Sequence, residues 1–463
     1  KVFFMATLDP DIRIRGIQPH YPFVSARVPL KFGAVVVEAL DFCHVRAEVE
    51  NRHGQVGEGW GAMFLMDMWA WPSKSVDHET RMKVMRETNK RLCKLFESHD
   101  DFGHPIEIFH RLEGDLQKVA EEVCREMDTD ETLPFLGTLV CASPIDAAIH
   151  DAFGNANGID TYDGYGKEFM ASDLSAWLGD EFKGDYVGDF LTPMPAMLPA
   201  FHLVGGLDKL RESETTDEDP DDGLPVSLDQ WIRFDKLRCL KVKLKGTDLD
   251  WDLQRIHDVA AIAREEQQKQ GYSELYLTAD TNEQCESPDY CIELLERIRE
   301  DDKNTFEQIL YIEQPTGRDL EKYEFDMRKL AKIKPVIIDE SLTTLADFDR
   351  ALEQGWSGIA LKACKCQSAS LVFACRAERL GIAYTVQDLT NPGIALIQSV
   401  GLAGHLKTLK GVEANSRQFF PWASQSESRV HPGVFKLRDG CIETTSIRGN
   451  GLGYRWEEID REL

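Results

Sequence analysis

Leu240-Lys241-Val242-Lys243, Leu275-Tyr276-Leu277-Thr278-Ala279-Asp280, Ile309-Leu310-Tyr311-Ile312-Glu313, Val336-Ile337-Ile338-Asp339 and Gly358-Ile359-Ala360-Leu361-Lys362 are apolar runs that each stop at a charge. Successive charges lie 37, 33, 26 and 23 residues apart, the chain needed for one strand, one helix and two short loops. Helical periodicity fills the gaps at Asp250 to Gln270, Pro288 to Glu300, Leu320 to Ala331 and Leu345 to Gln354. Strands that alternate with helices in this way imply a parallel sheet with both faces covered.

On either side of these runs the same rhythm continues. Met197 to Leu203 reads as an opening strand, Ile382-Ala383-Tyr384-Thr385-Val386 as a seventh ending at Gln387-Asp388, and Gly411-Val412-Glu413 as an eighth; helices are predicted at Ala369 to Leu380 and Ile394 to Leu406. The expected body is an α/β fold, a (β/α) barrel over residues 193–415 with the charges on its C-terminal rim. Upstream, Ile12 to Ile17, Ala34 to Leu40 and Val45 to Val49 read as strands of an antiparallel meander with a turn at Asn51 to Gly54. Helices are predicted at Glu79 to Glu97, Leu112 to Met127 and Ser143 to Asn155, the last behind a Ser-Pro start, so that residues 1–165 form an α+β unit. Residues 416–463 return to short strands and Gly-rich turns, and are expected to pack back on that unit. Lys167 to Asp189 and the acidic Glu212 to Asp222 read as surface insertions, the second a solvated loop.

With 463 residues the chain is too long for one ordinary domain, and 42% hydrophobic content fills a sizeable core. The formal charge of -27 argues against nucleic acid and anionic membrane surfaces as partners. No apolar stretch reaches the length of a membrane span and the start, Lys1-Val2-Phe3-Phe4, has no signal pattern, so a cytoplasmic protein is expected. The 11 cysteines are odd in number, lie mostly in apolar runs and form no Cys-x-x-Cys pair. Buried thiols, rather than zinc ligands or disulfides, follow.

Asp280, Glu313 and Asp339, on neighbouring strand ends, would converge at the barrel mouth and offer oxygen ligands to a hard cation, magnesium first and manganese in its place. Open coordination positions would take a substrate carboxylate and hold the negative charge that develops when a proton leaves the adjacent carbon. Lys243 and Lys362, on the second and sixth strands, would face each other across the mouth as acid and base. That task needs a neutral lysine. Lys241, two positions back on the same strand face, is the cation expected to lower the pKa of Lys243 by repulsion. A lone carboxylate at a strand end is more often a helix cap, and alternating Lys241, Lys243 and Lys245 ordinarily mark a wet strand face; five charges in register on one rim favour the site.

Lys241-Val242-Lys243 near Gly246, Thr278-Ala279-Asp280-Thr281-Asn282, Ile312-Glu313-Gln314-Pro315, Ile338-Asp339-Glu340-Ser341 and Leu361-Lys362-Ala363-Cys364-Lys365 resemble the enolase superfamily, in particular its mandelate racemase and muconate lactonizing enzyme branch. The resemblance extends to Ser143-Pro144-Ile145-Asp146-Ala147-Ala148-Ile149-His150-Asp151, to Gly57-Glu58-Gly59 and to Gly451-Leu452-Gly453, and so covers nearly the whole chain apart from the two insertions. It implies an enolase-type barrel under an N-terminal α+β capping domain completed by the C-terminal tail. It also implies magnesium on Asp280, Glu313 and Asp339, acid/base work by Lys243 and Lys362, and Lys241 as their electrostatic partner. Asn282, Glu340, Lys365, Asp388 and Asn391 would support the ligands or meet the substrate. Capping loops choose the substrate in this family, which makes His20, Tyr21, Phe23 and Trp60 specificity candidates. A small carboxylate substrate and a homo-oligomer follow from the same resemblance.

Members resembling mandelate racemase carry a His at the end of the seventh strand. This chain has Gln387-Asp388 there and no His on its second to seventh strands, which points to the two-lysine branch of muconate lactonizing enzymes, dipeptide epimerases and succinylbenzoate synthases. Those relatives commonly carry a carboxylate in the eighth-strand loop, read here as Asn391, and a glycine pair after the sixth-strand lysines, here Cys366-Gln367. The expected reaction is abstraction of the proton next to a carboxylate through a metal-stabilised enediolate, giving racemisation, epimerisation or cycloisomerisation. Dehydration of an acid sugar or hydroxy acid is the alternative; a Schiff-base aldolase using Lys362 and a non-catalytic barrel are remoter ones. Trp69, Trp71, His150 and His202 read as structural.

Overall fold

The computed structural model describes residues 8–32 and 35–461; Lys1 to Phe4 and the predicted strand start at Ala34 lie outside the described residues. Ile12–His20 (β1), Phe23–Phe32 (β2), Val35–Asn51 (β3) and Val56–Phe64 (β4) form an antiparallel sheet in which β3 pairs with β1, β2 and β4. The two strands expected between residues 34 and 49 are therefore one. Along its second half Val45, Ala47 and Val49 are buried and alternate with half-buried Arg46 and Glu48, the pattern of a strand with one covered face.

Three helices pack on that side, the first and third against the sheet and the second against those two. His78–Glu97 (α1) begins at Asp77, whose side chain accepts from the Thr80 N–H. Pro105–Glu126 (α2) starts well before the expected Leu112, because His104 and Glu107 cap its first turn reciprocally and Pro105 occupies a position that needs no donor. Phe135–Asn157 (α3) runs straight through Pro144 instead of starting there. Pro144 has no N–H for the Val140 carbonyl, and the Ser143 hydroxyl donates to that oxygen at 2.9 Å; Ser-Pro is here a mid-helix repair. The helix lies against β4 where Gly57, Gly59 and Gly61 alternate: a Cβ on Gly59 would stand 2.1 Å from the Ala152 nitrogen.

Met197–Val204 (β5), Cys239–Lys243 (β6), Tyr276–Asp280 (β7), Ile309–Glu313 (β8), Val336–Ile338 (β9), Gly358–Lys362 (β10), Ala383–Gln387 (β11) and Val412–Glu413 (β12) are parallel neighbours in that order, and β12 pairs back with β5 to close the barrel. Leu228–Asp235 (α4), Leu249–Lys269 (α5), Pro288–Asp301 (α6), Leu345–Glu353 (α7), Gln367–Leu380 (α8) and Gly393–Gly404 (α9) lie between them in the chain. The helix expected from Leu320 shrinks to Arg328–Ala331. Asp319 accepts from the N–H groups of Glu321 and Lys322, each at 3.0 Å, and turns the chain before a helix can begin.

Neither insertion is only a surface loop. In the first, Met170, Leu174, Phe182 and Val187 are buried, and Arg379 of α8 donates to the Glu181 carbonyl at 3.0 Å. The second is exposed along most of its length but ends in an ion pair from Asp222 to Arg27 of β2. Past residue 416 the chain touches both bodies. Cys441–Glu443 (β13) adds antiparallel to β5, Gly451 bridges to Asp160, and Trp456 stacks on Trp60 with ring centroids 4.1 Å apart. The cysteines are free, and no helix among the described residues is long and apolar enough to cross a membrane.

Candidate active site

Lys243, Asp280 and Glu313 are cross-strand partners in one row; Glu313 is level with Ile337, so Asp339 projects from the same face two residues on. Lys362 ends β10, four strands round from β6 in the closed barrel, and thus stands across the mouth from Lys243. The barrel has no wet inner face: Asp280, Glu313 and Asp339 are 0%, 1% and 1% exposed, and Lys241 and Lys362 are also buried. Asn282, Glu283, Gln314, Cys366 and Thr390, all just past barrel strands, hold positive φ without being glycine. Strain of this kind persists where surrounding structure enforces it, and it collects here on one rim.

The ammonium groups interleave with the carboxylates. Lys241 Nζ lies 2.7 Å from Glu313 Oε1, 2.9 Å from Glu413 Oε1 and 3.1 Å from Asp280 Oδ2. Lys243 donates to Asp280 Oδ2 at 2.5 Å, and Gln387 Nε2 donates to Glu313 Oε2 at 2.7 Å. On the far side Lys362 Nζ is 2.6 Å from Asp339 Oδ2, while Lys365 donates to the Asp339 carbonyl at 2.6 Å and to Oδ1 at 3.0 Å. Trp69 lies with its ring centroid 4.7 Å from Lys362 Nζ and donates through Nε1 to Glu340 Oε1 at 2.9 Å.

These contacts set the titration of the site. Burial would raise Asp280, but Lys243 and Lys241 beside it hold its carboxyl well below the usual carboxylate range; burial is likewise overcome at Asp339, by Lys362 and Lys365. Glu313 goes the other way, pushed up by burial and by the neighbouring Asp280. Burial together with Asp339 lifts Glu340 to about 7, and burial together with Glu413 lifts Asp388 to about 7. Burial alone would lower Lys362, yet Asp339 together with Glu313 and Glu340 outweighs it and raises the ammonium above its ordinary value. Lys241 too is raised, with Glu313 and Glu413 overcoming burial. In this arrangement Lys241 and Lys362 are firm cations, not neutral bases.

Of the other residues singled out from sequence, Asn282 donates its N–H to Asp280 Oδ1 at 2.8 Å, and Asp388 accepts from the N–H groups of Thr390 and Asn415, each at 3.2 Å. Asn391 follows β11, the seventh barrel strand, and accepts from the Phe64 N–H at 3.3 Å. The reading that put it after the eighth strand is corrected: β12 ends on the buried carboxylate of Glu413, followed by Asn415. Cys366 has φ +74°, a conformation glycine adopts freely.

A small cavity of about 40 Å³ lies against Lys241, Lys243 and Lys362 and is roofed by Leu30, Met66 and Trp69. His20, Tyr21, Phe23 and Trp60 do not line it. Tyr21 donates to Asn89 Oδ1 of α1 at 2.5 Å, Trp60 stacks on Trp456, the His20 ring centroid is 6.3 Å from that of Trp60, and Phe23 is 71% exposed. Sequence reasoning missed the roof and took Trp69 as merely structural. Nothing local marks Leu30, Met66 or Trp69, since only docking of the cap on the barrel brings them there. Glu413 was within reach of the strand-end rule that picked out the other charges. A larger cleft of about 550 Å³ reaches the site only at Glu340 and Ser341, so size does not mark the chemistry.

Whether these side chains suit a divalent cation is a matter of donor chemistry. Asp280, Glu313 and Asp339 are buried hard-oxygen donors, and beside them Asn282 Oδ1 and Glu340 Oε2 are buried acceptors without a hydrogen-bond donor, which a cation would satisfy. The donor set therefore fits magnesium. The carboxylates do not already close on one point: among the described residues no three His, Cys, Asp or Glu side chains form a ready metal cluster, because ammonium groups lie among them.

Comparison with known proteins gives the same architecture. Residues 227–459, half of the chain, match the model of the enolase C-terminal domain-like family. The L-Ala-D/L-Glu epimerase of Bacillus subtilis, solved with substrate, superposes with a TM-score of 0.61 at 15% identity, covering 95% of this chain and 98% of that one. The dipeptide epimerase of Enterococcus faecalis V583, solved with Mg and the dipeptide L-Leu-L-Tyr, gives 0.59 at 16% identity over 96% and 99% of the two chains. The muconate lactonizing enzyme of Pseudomonas fluorescens, solved with muconolactone, gives 0.57 at 17% identity over 86% and 87%. At these identities the likeness is one of fold. No curated protein sequence matches the chain.

Proposed function

This chain belongs to the enolase C-terminal domain-like family, and on that premise we propose that it is a two-lysine enzyme of the mandelate racemase and muconate lactonizing type. It removes the proton next to a substrate carboxylate, with racemisation, epimerisation or cycloisomerisation as the outcome. The observation that carries this reading is the placement of Lys243 and Lys362 on opposite strands of one buried mouth, each against a different carboxylate. Two bases on opposite faces of one carbon are what proton exchange requires.

Asp280, Glu313 and Asp339 would hold magnesium, or manganese in its place. The cation's contribution when bound is Lewis-acid stabilisation of the charge that builds on the substrate carboxylate. The chain supplies the rest. Asp339 is the strongest of the charges that keep Lys362 protonated; with this carboxylate turned away from Nζ, burial gains on the weaker pull of Glu313 and Glu340 and shifts the lysine toward the neutral base. Lys243 meets the other face of the carbon and returns the proton. Lys241 anchors Glu313, Glu413 and Asp280 from below, and the Trp69 ring keeps water from Lys362. Leu30 and Met66 roof the remaining space, which at about 40 Å³ holds little more than a water molecule. Substrate admission therefore requires the cap to lift.

The test is incubation with pooled carboxylic acids in deuterated water with magnesium, followed by mass spectrometry for deuterium at the α-carbon. Exchange is expected for at least one acid, and magnesium should raise the melting temperature of the protein, reversibly with chelator. A folded, metal-loaded protein that labels none of them would sink the reading.

A further inference from the structure

The acidic insertion Glu212 to Asp222 has no part in the chemistry above, yet its last residue is tied to the capping sheet. β2 pairs with β3 up to Ser25 and resumes at Leu30, so residues 26–29 bulge out opposite Glu38 alone. Arg27 sits in the bulge with its side chain only 1% exposed. Its Nε donates to Asp222 Oδ2 at 2.6 Å and its Nη2 to Asp222 Oδ1 at 2.8 Å, while Nη2 also meets the Leu224 carbonyl at 3.0 Å and Nη1 the Pro225 carbonyl at 3.1 Å. All four acceptors lie on the connection from β5 to α4, at the C-terminal, mouth end of the barrel. Three residues past Arg27, Leu30 roofs the cavity over the lysines.

We propose that the Arg27–Asp222 clasp is the latch of the active-site roof, holding Leu30 over Lys243 and Lys362 and releasing when substrate enters. The inference rests on the catalytic reading of the site. The bulge has given up its ladder bonds to β3, so its position is set from the barrel side, where Ala26 and Val28 pack on the core and the Arg27 clasp supplies the polar grip. The grip is bidentate and charge-assisted, which sets one geometry, and its Asp222 half is 25% exposed, which leaves it open to water and salt. Arg27 and Asp222 are positioning residues: neither lies among the lysines, and both act through the β2 bulge.

Hydrogen–deuterium exchange of the full chain tests the latch without any substrate, comparing wild type with Arg27→Gln and with Asp222→Asn, the second being isosteric and on an exposed loop. A peptide over residues 23–32 is expected to exchange about tenfold faster in both variants, with peptides over β6 and β10 unchanged. Molar salt should speed that peptide in wild type and leave the variants where they are. With an acid that wild type labels at its α-carbon, the variants should lower KM about fivefold while kcat moves less than about twofold, because the cost of releasing the clasp no longer opposes binding, a split that a merely structural ion pair would not produce. Unchanged exchange over residues 23–32 in both variants overturns the latch, whatever the catalysis. Faster exchange there, in a protein that labels no acid, keeps the clasp and overturns the catalytic reading instead.

Discussion

Two buried polar clusters in this molecule look alike in composition and differ in satisfaction. At the junction of cap and barrel, Tyr165 donates to His150 Nδ1 at 2.9 Å, His150 Nε2 meets Ser368 Oγ at 2.9 Å, and Ser368 gives its hydroxyl to Asp146 Oδ1 at 2.7 Å and its N–H to Oδ2 at 2.9 Å. Every proton runs one way along that chain and every one of these atoms has a partner. At the barrel mouth, lysines share carboxylates, Asn282 Oδ1 and Glu340 Oε2 lack donors, and strained backbone crowds the strand ends. An Asp, a His and a Ser in contact suggest chemistry by residue type alone, but a network whose partners are all taken has nothing left to offer a ligand. Unspent polar capacity, rather than residue type, separates a working site from a structural joint.

Replacing a mouth lysine should part the two clusters most widely. Lys362→Met or Lys243→Met is expected to lower α-carbon deuterium exchange by about 10³-fold with the circular dichroism of the fold retained. Retained exchange in both variants would reduce the mouth to another structural joint. Ser368→Ala should do the opposite: it leaves His150 Nε2 without a partner and Asp146 one donor short in the interior, at a cost of about 2 kcal/mol in denaturant unfolding, while activity per folded molecule holds. Loss of catalysis without loss of stability would mean that the junction shares in the chemistry. The smallest effect concerns backbone strain. With φ at +74°, Cys366→Gly should be more stable than Cys366→Ala by about 1 kcal/mol in paired melts, and an Ala variant equal to Gly would show that this rim position is unstrained.

Much of this was legible in the chain. Buried parallel strands must read as continuous apolar runs, and a charge that ends such a run has only the barrel rim to occupy, so Lys243, Asp280, Glu313, Asp339 and Lys362 could be placed together from spacing. The same rule extends to Glu413, which pattern reading passed over because β12 is a two-residue strand. Other signals misled where local chemistry has two uses: Ser143-Pro144 resembles a helix start, yet the Ser hydroxyl can also mend the gap the proline leaves.

Connectivity and the identity of the charged residues were thus written in the linear order of residues, because strand and helix periods and the strand-end charges are local properties of the chain. The roof and its clasp were not. Leu30, Met66 and Trp69 reach the lysines, and Arg27 reaches Asp222 across 195 positions, only because one folded body docks on another. The direction of the Lys362 shift was equally beyond the sequence. It depends on whether burial or the surrounding carboxylates, Asp339 at 2.6 Å first among them, prevail, and that contest is decided by distance in space.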